Sequence, residues 1–192
     1  MKTLTAVLLA GGESRRMGRE KATIVFNGEP LWQRQIKSLR HLRPEGILVS
    51  ARAERSWRPA GTELVLDQPP SRGPISGLTA ALGRTRTSHL IALGVDMPFV
   101  TTAQLQDLCQ RASAGCGVVP TIDGRVEPLA AVYPVEAYAD FTAALTGNDW
   151  SLQSLVRRLA DEGKVQLVNV VEAEAELYRS LNEPQDLTLP RR

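Results

Sequence analysis

The sequence predicts an α/β protein with a three-layer α/β/α architecture and a mostly parallel β-sheet. Short apolar runs alternate along the chain with segments of helical periodicity. This alternation is typical of parallel strands that are joined by right-handed helical crossovers. The apolar runs of the first half are unbroken, as expected for strands that are covered on both faces.

Seven apolar runs predict the strands. Those in the first half are unbroken apolar segments. The second half is less regular, and its strands are predicted from shorter apolar segments. The predicted strands cover residues 5–10, 46–50, 63–66, 89–93, 117–120, 129–133 and 164–168.

Helices are predicted between the strands. Gly73 is followed by proline, which favours the first position of a helix. Thr101 or Thr102 can cap a later helix through its hydroxyl group, and so can Ser151. Residues 182–187 predict a turn into a short last helix. The other predicted helices cover residues 30–42, 74–82, 102–109 and 152–159.

Length and composition favour one globular domain over residues 1–192. With 43% hydrophobic and 23% charged residues, the chain is unlike disordered, collagenous or coiled-coil proteins. The first apolar run leads into a glycine-rich loop and is too short to span a membrane. We therefore expect no signal peptide, no membrane association and a cytoplasmic location. The two thiols, Cys109 and Cys116, lack histidines at zinc-ligand spacing, and we expect them to be incidental.

The charge is distributed unevenly. Residues 1–60 contain 12 Lys and Arg against 5 Asp and Glu, whereas residues 61–192 contain 11 against 16. The basic first third indicates an anionic ligand, and the alternative is a solvated basic helix. Nucleic acid is not an expected partner, because the overall charge is only +2 and aromatic residues are 5%.

The segment LAGGESRRMGREK, residues 9–21, directly follows the first predicted strand. Gly11 and Gly12 allow a tight bend that brings backbone N–H groups against phosphate oxygens. Arg16 and Lys21 add positive charge. The spacing matches neither the dinucleotide-binding fingerprint nor the Walker loop. The alternative is a structural glycine turn with solvated arginines.

Two carboxylates stand at predicted strand ends. Asp96 follows an apolar strand and can hold Mg²⁺ against phosphate oxygens, because this ion prefers oxygen ligands. Its alternative role is that of a turn residue. Asp67 follows another predicted strand in the same way. The alternative to a binding role is that Asp67 only ends the strand, in a turn before the following prolines. His41 and His89 lack partners for nucleophilic catalysis, and we expect both to be packed or surface residues.

Several segments resemble motifs of the molybdenum cofactor guanylyltransferases. Residues 9–21 are similar to the family's nucleotide loop, LAGGxSRRMGxDK. Related cytidylyltransferases usually have LAAG there and lack the family's GPLAG motif, which GPISG at 73–77 resembles. This chain departs from the family at Glu20, Ser50, Ser180 and Glu183. The other matching segments, in chain order, are GPISG at 73–77, VDMPF at 95–99, EPL at 127–129 with Tyr133, and SLNEPQD at 180–186.

The resemblance implies a Rossmann-like nucleotidyltransferase domain, with residues 1–100 as the nucleotide-binding half and 101–192 as the acceptor-binding half. It implies Mg²⁺-dependent transfer of GMP from GTP to the phosphate of molybdopterin, with pyrophosphate as the second product. Molybdoenzyme maturation proteins are implied as further partners. The implied catalytic residues are Arg16, Lys21 and Asp96, with Asp96 as metal ligand and Asn182 as acceptor-binding residue. The implied nucleotide-binding residues are Leu9, Ala10, Gly11, Gly12, Lys21, Asp67, Gly73 and Asp96.

This chemistry needs no general base, because the acceptor phosphate is already ionised near neutral pH. It needs cations that offset the repulsion between two anions, which Arg16 and Lys21 can supply. Two alternatives stay open. One is a cytidylyltransferase or another nucleotidyltransferase of the same fold. The other is a non-catalytic carrier or maturation factor for the molybdenum cofactor, against which the retained Asp96 argues.

Overall fold

Eight strands form a mixed β-sheet at the centre of the structure, a computed structural model that describes residues 3–12, 20–67, 70–183 and 185–186. A separate two-stranded hairpin lies beside it. The strands are β1 (Leu4–Leu9), β2 (Val25–Phe26), β3 (Glu29–Pro30), β4 (Gly46–Ala51), β5 (Glu63–Leu66), β6 (His89–Gly94), β7 (Gly117–Ile122), β8 (Arg125–Val126), β9 (Ala130–Pro134) and β10 (Val165–Asn169).

The strand order in the sheet is β10-β7-β9-β6-β1-β4-β5, and β8 pairs with β7. Strands β4, β1 and β6 pair in parallel, as do β7 and β10. Strand β9 runs antiparallel to β6 and β7. The prediction of a mostly parallel sheet is therefore confirmed. The hairpin of β7 and β8 turns at Asp123 and Gly124, both with positive φ, as two-residue hairpin turns require.

Helices cover both faces of the sheet. Thr101 caps one of them with a capping box that includes Gln104, and Ser151 caps another through the N–H of Ser154. Both cap positions were predicted. The helices are α1 (Leu31–His41), α2 (Pro74–Arg84), α3 (Thr102–Arg111), α4 (Tyr138–Thr146), α5 (Leu152–Asp161) and α6 (Glu172–Ala175), with 3₁₀ turns at Lys21–Thr23, Val135–Ala137 and Glu176–Tyr178.

Strand β1 separates two hydrophobic clusters, because its successive side chains point to opposite faces. Ala6 and Leu8 pack in one cluster, together with buried residues of α1 and α3. Val7 and Leu9 pack in the other, with residues of α2, α4 and α5. These two layers of helices on one sheet confirm the predicted three-layer architecture.

Both histidines have structural roles. His89 is fully buried, and its ring nitrogens contact the Ser88 hydroxyl and the Ser113 carbonyl. The exposed His41 contacts the Lys37 carbonyl of its own helix. These contacts agree with the expectation that neither histidine is catalytic.

Within the described ranges, no helix has both the length and the apolarity needed to cross a membrane.

Candidate functional site

A cleft of about 340 Å³ opens where β1, β4, β5 and β6 end. Ligands of parallel α/β sheets bind at this edge. All eight predicted nucleotide-binding residues line the cleft, whereas the predicted catalytic residue Arg16 lies outside the described residues. The cleft lining consists of Leu9, Ala10, Gly11, Gly12, Lys21, Ser50, Arg52, Asp67, Gly73, Pro74, Gly77, Gly94, Val95, Asp96 and Leu129.

Gly11 closes the end of β1 beside a carboxylate. A side chain on Gly11 would begin 3.2 Å from Asp67 Oδ2 and 3.8 Å from the Ala51 Cα atom. A larger residue would therefore push against the carboxylate. Among the described residues, no atom lies within 4 Å of a Cβ atom built on Gly12, so this part of the chain does not crowd the second glycine.

Two hydroxyl groups hold the carboxylate of Asp67. Ser50 Oγ donates to Oδ1 at 3.2 Å, and Ser71 Oγ donates to Oδ2 at 3.0 Å. Gly77 leaves room for this arrangement, because a Cβ atom there would overlap Ser50 Oγ and lie 3.4 Å from Asp67 Oδ1. The family departure at Ser50 thus places a hydroxyl group where it orients Asp67. The side chain of Asp67 faces the cleft.

Helix α2 begins at the cleft. Gly73 precedes it with a φ of 78°, a conformation that other residues rarely adopt, and Pro74 takes the first helical position as predicted. The N–H of Arg72 donates to Ser76 Oγ at 2.8 Å. The first turn of α2 directs its positive end towards the cleft, which favours an anionic ligand.

Lys21 joins two residues that are distant in the sequence. Its Nζ atom lies 2.8 Å from Asp96 Oδ2 and 3.0 Å from Asn182 Oδ1. The side chains of Lys21 and Asp96 are only 15% and 20% exposed, so water screens this ion pair less than a surface pair. The predicted acceptor-binding residue Asn182 therefore neighbours a predicted phosphate-binding residue. Its own N–H donates to Asp186 Oδ2, which accounts for the predicted turn.

Gln35 of α1 holds the turn that carries Asp96 through two hydrogen bonds. Gln35 is fully buried, and its Nε2 donates to the carbonyl of Gly94 at 3.0 Å and to that of Met97 at 2.7 Å. Sequence reasoning missed Gln35. The available signal was a polar residue four positions from both Leu31 and Leu39, within the buried stripe of the helix.

Further backbone contacts fix the same turn from the side. The N–H of Leu181 donates to the carbonyl of Asp96 at 2.7 Å, and the N–H of Gly94 donates to that of Leu129 at 2.7 Å. A Cβ atom on Gly94 would lie 3.0 Å from Asp96 Oδ1. The C-terminal segment and the segment before β9 therefore both reach the end of β6.

Glu20, where the family usually has Asp, is held by the following loop. Trp57 Nε1 donates to Glu20 Oε1 at 2.8 Å, and Arg55 Nε lies 3.2 Å from the same oxygen. The Trp57 ring stacks on Trp32 with ring centroids 5.9 Å apart. The longer acidic side chain is thus used in packing beside the cleft.

The site offers few metal ligands of protein origin. No group of three or more His, Cys, Asp or Glu residues that could hold a metal occurs within the described ranges. The Asp96 carboxylate and the Asn182 amide oxygen both contact one cation, the Lys21 ammonium. A carboxylate, an amide oxygen and substrate phosphates form a donor set that suits Mg²⁺.

A second cleft, of about 520 Å³, adjoins the first and shares Pro74 and Leu129 with it. Glu127 lines it, and its Oε1 accepts from the N–H of Leu129 at 3.2 Å. Burial raises the pKa of Glu127 to about 7, and the charge of Asp96 contributes in the same direction. The buried hydroxyl of Tyr133 donates to the carbonyl of Pro128 at 2.9 Å, which fixes the EPL segment.

Arg52 is a further cation of the first cleft that sequence reasoning missed. Arg52 directly follows β4 in the sequence. The signal that could have found it was a basic residue just after a predicted strand. Sequence reasoning also gave no site role to Leu129, which separates the two clefts.

The chain is similar to known proteins over most of its length. Residues 6–164 match the family described as the MobA-like NTP transferase domain. The chain is 36% identical over 192 residues to a probable molybdenum cofactor guanylyltransferase of Opitutus terrae, covering 98% of this chain and 95% of the relative. It is 31% identical to the molybdenum cofactor guanylyltransferase of Pseudomonas fluorescens, covering 80% of this chain and 78% of that relative.

The fold is also found among solved structures. The crystal structure of molybdopterin-guanine dinucleotide biosynthesis protein A from Archaeoglobus fulgidus superposes with a TM-score of 0.75. The match covers 95% of this chain and 94% of that chain, at 23% sequence identity. This similarity shows a common fold.

Proposed function

Because this chain belongs to the MobA-like NTP transferase family and is a nucleotidyltransferase, we propose that it transfers GMP from GTP to the phosphate of molybdopterin. The observation that carries the proposal is the meeting of Lys21, Asp96 and Asn182 beside the boundary of two adjoining clefts. One cleft has a volume of about 340 Å³ and carries the cations Lys21 and Arg52, which suit a nucleotide's phosphates, and the other can hold an acceptor. Both relatives described above bear the name of this activity.

The reaction is a displacement at the α-phosphorus of GTP. An oxygen of the acceptor phosphate forms the new P–O bond, and the bond to the pyrophosphate leaving group breaks. No proton has to be removed, because the acceptor oxygen is already ionised near neutral pH. The protein has to hold two anions in line and offset their repulsion. Lys21 and the N-terminus of α2 face the cleft where this charge develops, and we assign Arg16 to the same task.

Mg²⁺ is the cofactor that this donor set suits, with Asp96 and Asn182 as its protein ligands. When bound, the ion would supply positive charge to the phosphates and to the leaving pyrophosphate. Gln35 and the N–H of Leu181 hold the backbone on either side of the Asp96 carboxylate. These contacts support a preorganised ligand position.

We assign guanine recognition to Asp67. The hydroxyls of Ser50 and Ser71 donate one hydrogen bond to each of its carboxylate oxygens. Each oxygen keeps a further acceptor position. Guanine presents two adjacent donors, N1–H and the 2-amino group, which match a carboxylate. Cytosine presents no such pair of donors.

The two halves of the chain would then divide the work, with residues 1–100 binding nucleotide and residues 101–192 binding the acceptor. Asn182 would contact the acceptor phosphate from the second half. The reaction would take place in the cytoplasm, where a thiol such as that of Cys116 persists. Molybdoenzyme maturation proteins would receive the product.

The deciding experiment measures pyrophosphate release with molybdopterin and GTP, CTP, ATP or UTP, each with Mg²⁺. We expect a preference for GTP of about tenfold or more, since a buried base edge without partners costs roughly 1–3 kcal/mol. Asp67→Asn should reduce this preference and leave the melting temperature near the wild-type value. Equal or faster turnover with CTP would identify a cytidylyltransferase, and binding of nucleotides without turnover would identify a carrier.

A further inference from the structure

The second cleft carries one half-buried carboxylate, that of Glu127. Asp123, the other carboxylate of this cleft, is exposed in the turn between β7 and β8. The polar groups of Gln153 are already used, because its amide donates to the carbonyl of Val126 and accepts from its N–H. Arg179 pairs with Glu176. Glu127 is therefore the acidic group of this cleft that a bound ligand can approach away from bulk water.

The backbone around Glu127 is tightly fixed. Its N–H donates to the carbonyl of Pro120 at 2.8 Å, and its Oε1 accepts from the N–H of Leu129. The carbonyl of Leu129 in turn accepts from Gly94, two residues before Asp96. These hydrogen bonds fix the position of the Glu127 carboxylate relative to the turn that carries Asp96, on the side of the second cleft.

The surroundings of Glu127 favour a ligand that donates hydrogen bonds. Burial and the charge of Asp96 raise its pKa, and the N–H of Leu129 and the charge of Arg125 oppose this shift only in part. A carboxylate has about four acceptor positions, of which the Leu129 N–H occupies one. Two adjacent N–H donors on a flat ring would match the remaining positions. Leu129 and Leu152 offer apolar surface to the faces of such a ring.

We propose that Glu127 recognises the 2-amino-4-oxo edge of the acceptor's pterin ring, with its two carboxylate oxygens accepting from N3–H and from the 2-amino group. This inference rests on the proposed function, in which the acceptor is molybdopterin. The ring then occupies the second cleft, and the acceptor phosphate reaches past Leu129 to Lys21 and Asp96. Glu127 is a specificity-determining residue, because it contacts the ring and not the reacting phosphates.

The test uses two probes that lack a phosphate and therefore cannot react. They are 6-hydroxymethylpterin and 6-hydroxymethyllumazine, which carries an oxygen in place of the 2-amino group. Binding is followed by the fluorescence of the ring at a GTP concentration that saturates the first cleft. Wild-type protein should bind the pterin about tenfold more tightly or better, since an oxygen facing the carboxylate leaves acceptors unpaired.

Glu127→Gln keeps an oxygen for the N–H of Leu129 and presents an NH₂ group to the ligand. This variant should reduce the preference for the pterin to about threefold or less, because its amide can donate to the lumazine oxygen. Its Kd for GTP should stay within about twofold of wild type, which also shows that the fold is intact. Glu136→Gln, at an exposed carboxylate of the 3₁₀ turn before α4, is the matched control and should keep the wild-type preference.

Wild-type protein that binds both probes equally, or a Glu127→Gln variant with an unchanged preference, would overturn this inference. Pyrophosphate release from GTP and molybdopterin is measured in parallel with the wild-type protein. Release without discrimination between the probes overturns the role of Glu127 and leaves guanylyl transfer in place. Absence of pyrophosphate release overturns the proposed function. The titrations with the pterin and the lumazine still decide whether Glu127 recognises the ring.

Discussion

Lys21 and Asp96 form an ion pair of 2.8 Å at the carboxyl ends of β1 and β6, across 75 positions of the sequence. The pair lies in a setting that is mostly shielded from water. Both groups nevertheless reach the cleft. The pair therefore keeps a cation and an anion ready at the point where nucleotide and acceptor would meet, and separate substitutions can distinguish their roles.

Replacing Asp96 should remove catalysis and preserve the fold. In Asp96→Asn the side chain keeps its size but loses its charge and becomes a weaker metal ligand. We expect kcat for pyrophosphate release to fall by about 100-fold or more at saturating Mg²⁺, with a cooperative melting transition retained. Asp107→Asn, which breaks an exposed ion pair with Arg111, is the control and should leave kcat unchanged. Activity of Asp96→Asn within about threefold of wild type would remove Asp96 as metal ligand.

Replacing Lys21 should weaken nucleotide binding more than folding. Lys21→Ala removes the cation that we assign to the phosphates, and calorimetry should show a Kd for GTP that is raised by about tenfold or more. Lys37→Ala serves as control, because Lys37 pairs with Glu29 on the surface and its side chain is 58% exposed. If Lys21→Ala binds GTP as tightly as wild type, Lys21 has no role in nucleotide binding.

A methyl group at Gly77 should disturb the position of Asp67, to which we assign guanine recognition. Gly77→Ala would place a carbon against Ser50 Oγ and 3.3 Å from Leu9 Cδ2, which displaces the hydroxyl that holds Asp67. The Kd for GTP should rise by about tenfold, even though alanine favours helix formation over glycine. Gly83→Ala lies on the same helix, and its new methyl group would come nearest to the half-exposed ring of Tyr138, away from Asp67, so the affinity of this variant for GTP should match wild type. Equal affinities of the two variants would contradict the packing argument.

The stability of the protein should depend on pH through Glu127. Burial raises its pKa from 4.5 to about 7 in the folded protein, so the folded state binds this proton more tightly than the unfolded chain. Its contribution to the free energy of unfolding is complete below pH 4.5 and is lost as the pH rises through about 7. Each pKa unit corresponds to about 1.4 kcal/mol, so a shift from 4.5 to about 7 gives a loss on the order of 3 kcal/mol.

Urea unfolding at pH 5 and pH 8 measures this loss. Wild type should lose more stability between the two pH values than Glu127→Gln, which has no carboxyl group to titrate at this position. Glu136→Gln retains Glu127 and should follow wild type. Parallel changes in wild type and Glu127→Gln would show that Glu127 titrates in its ordinary range.

The sequence predicted much of this fold because local signals and tertiary structure agree. Unbroken apolar runs mark β1, β4 and β6, and the caps Thr101 and Ser151 mark the helix starts. Helix α4 was missed, because its apolar residues are not confined to one face. The reversed direction of β9 was missed as well, since direction depends on pairing with distant strands.

The residues of the candidate site were predicted more fully than their contacts. Motif resemblance identified Lys21, Asp96 and Asn182, but their meeting at one point depends on chain segments up to 161 positions apart. Gln35 and Arg52 were missed because neither belongs to a motif. A buried amide beneath a catalytic turn has no signature in one sequence beyond a polar residue on an apolar helix face.

The reversed strand β9 has a consequence for how enzymes of this architecture can diversify. Since β9 is antiparallel to β6, the segment that precedes it, and not the one that follows it, lies at the edge of the nucleotide cleft. The parallel strands β1, β4, β5 and β6 end at the first cleft, whereas the segment carrying Glu127 reaches it before β9 begins. If the first cleft binds the nucleotide and the second the acceptor, as proposed, changes of length or composition in this segment would alter the second cleft without moving the ends of β1, β4 and β6. The acceptor specificity of the proposed enzyme would then be able to change while the residues proposed to bind the nucleotide keep their positions.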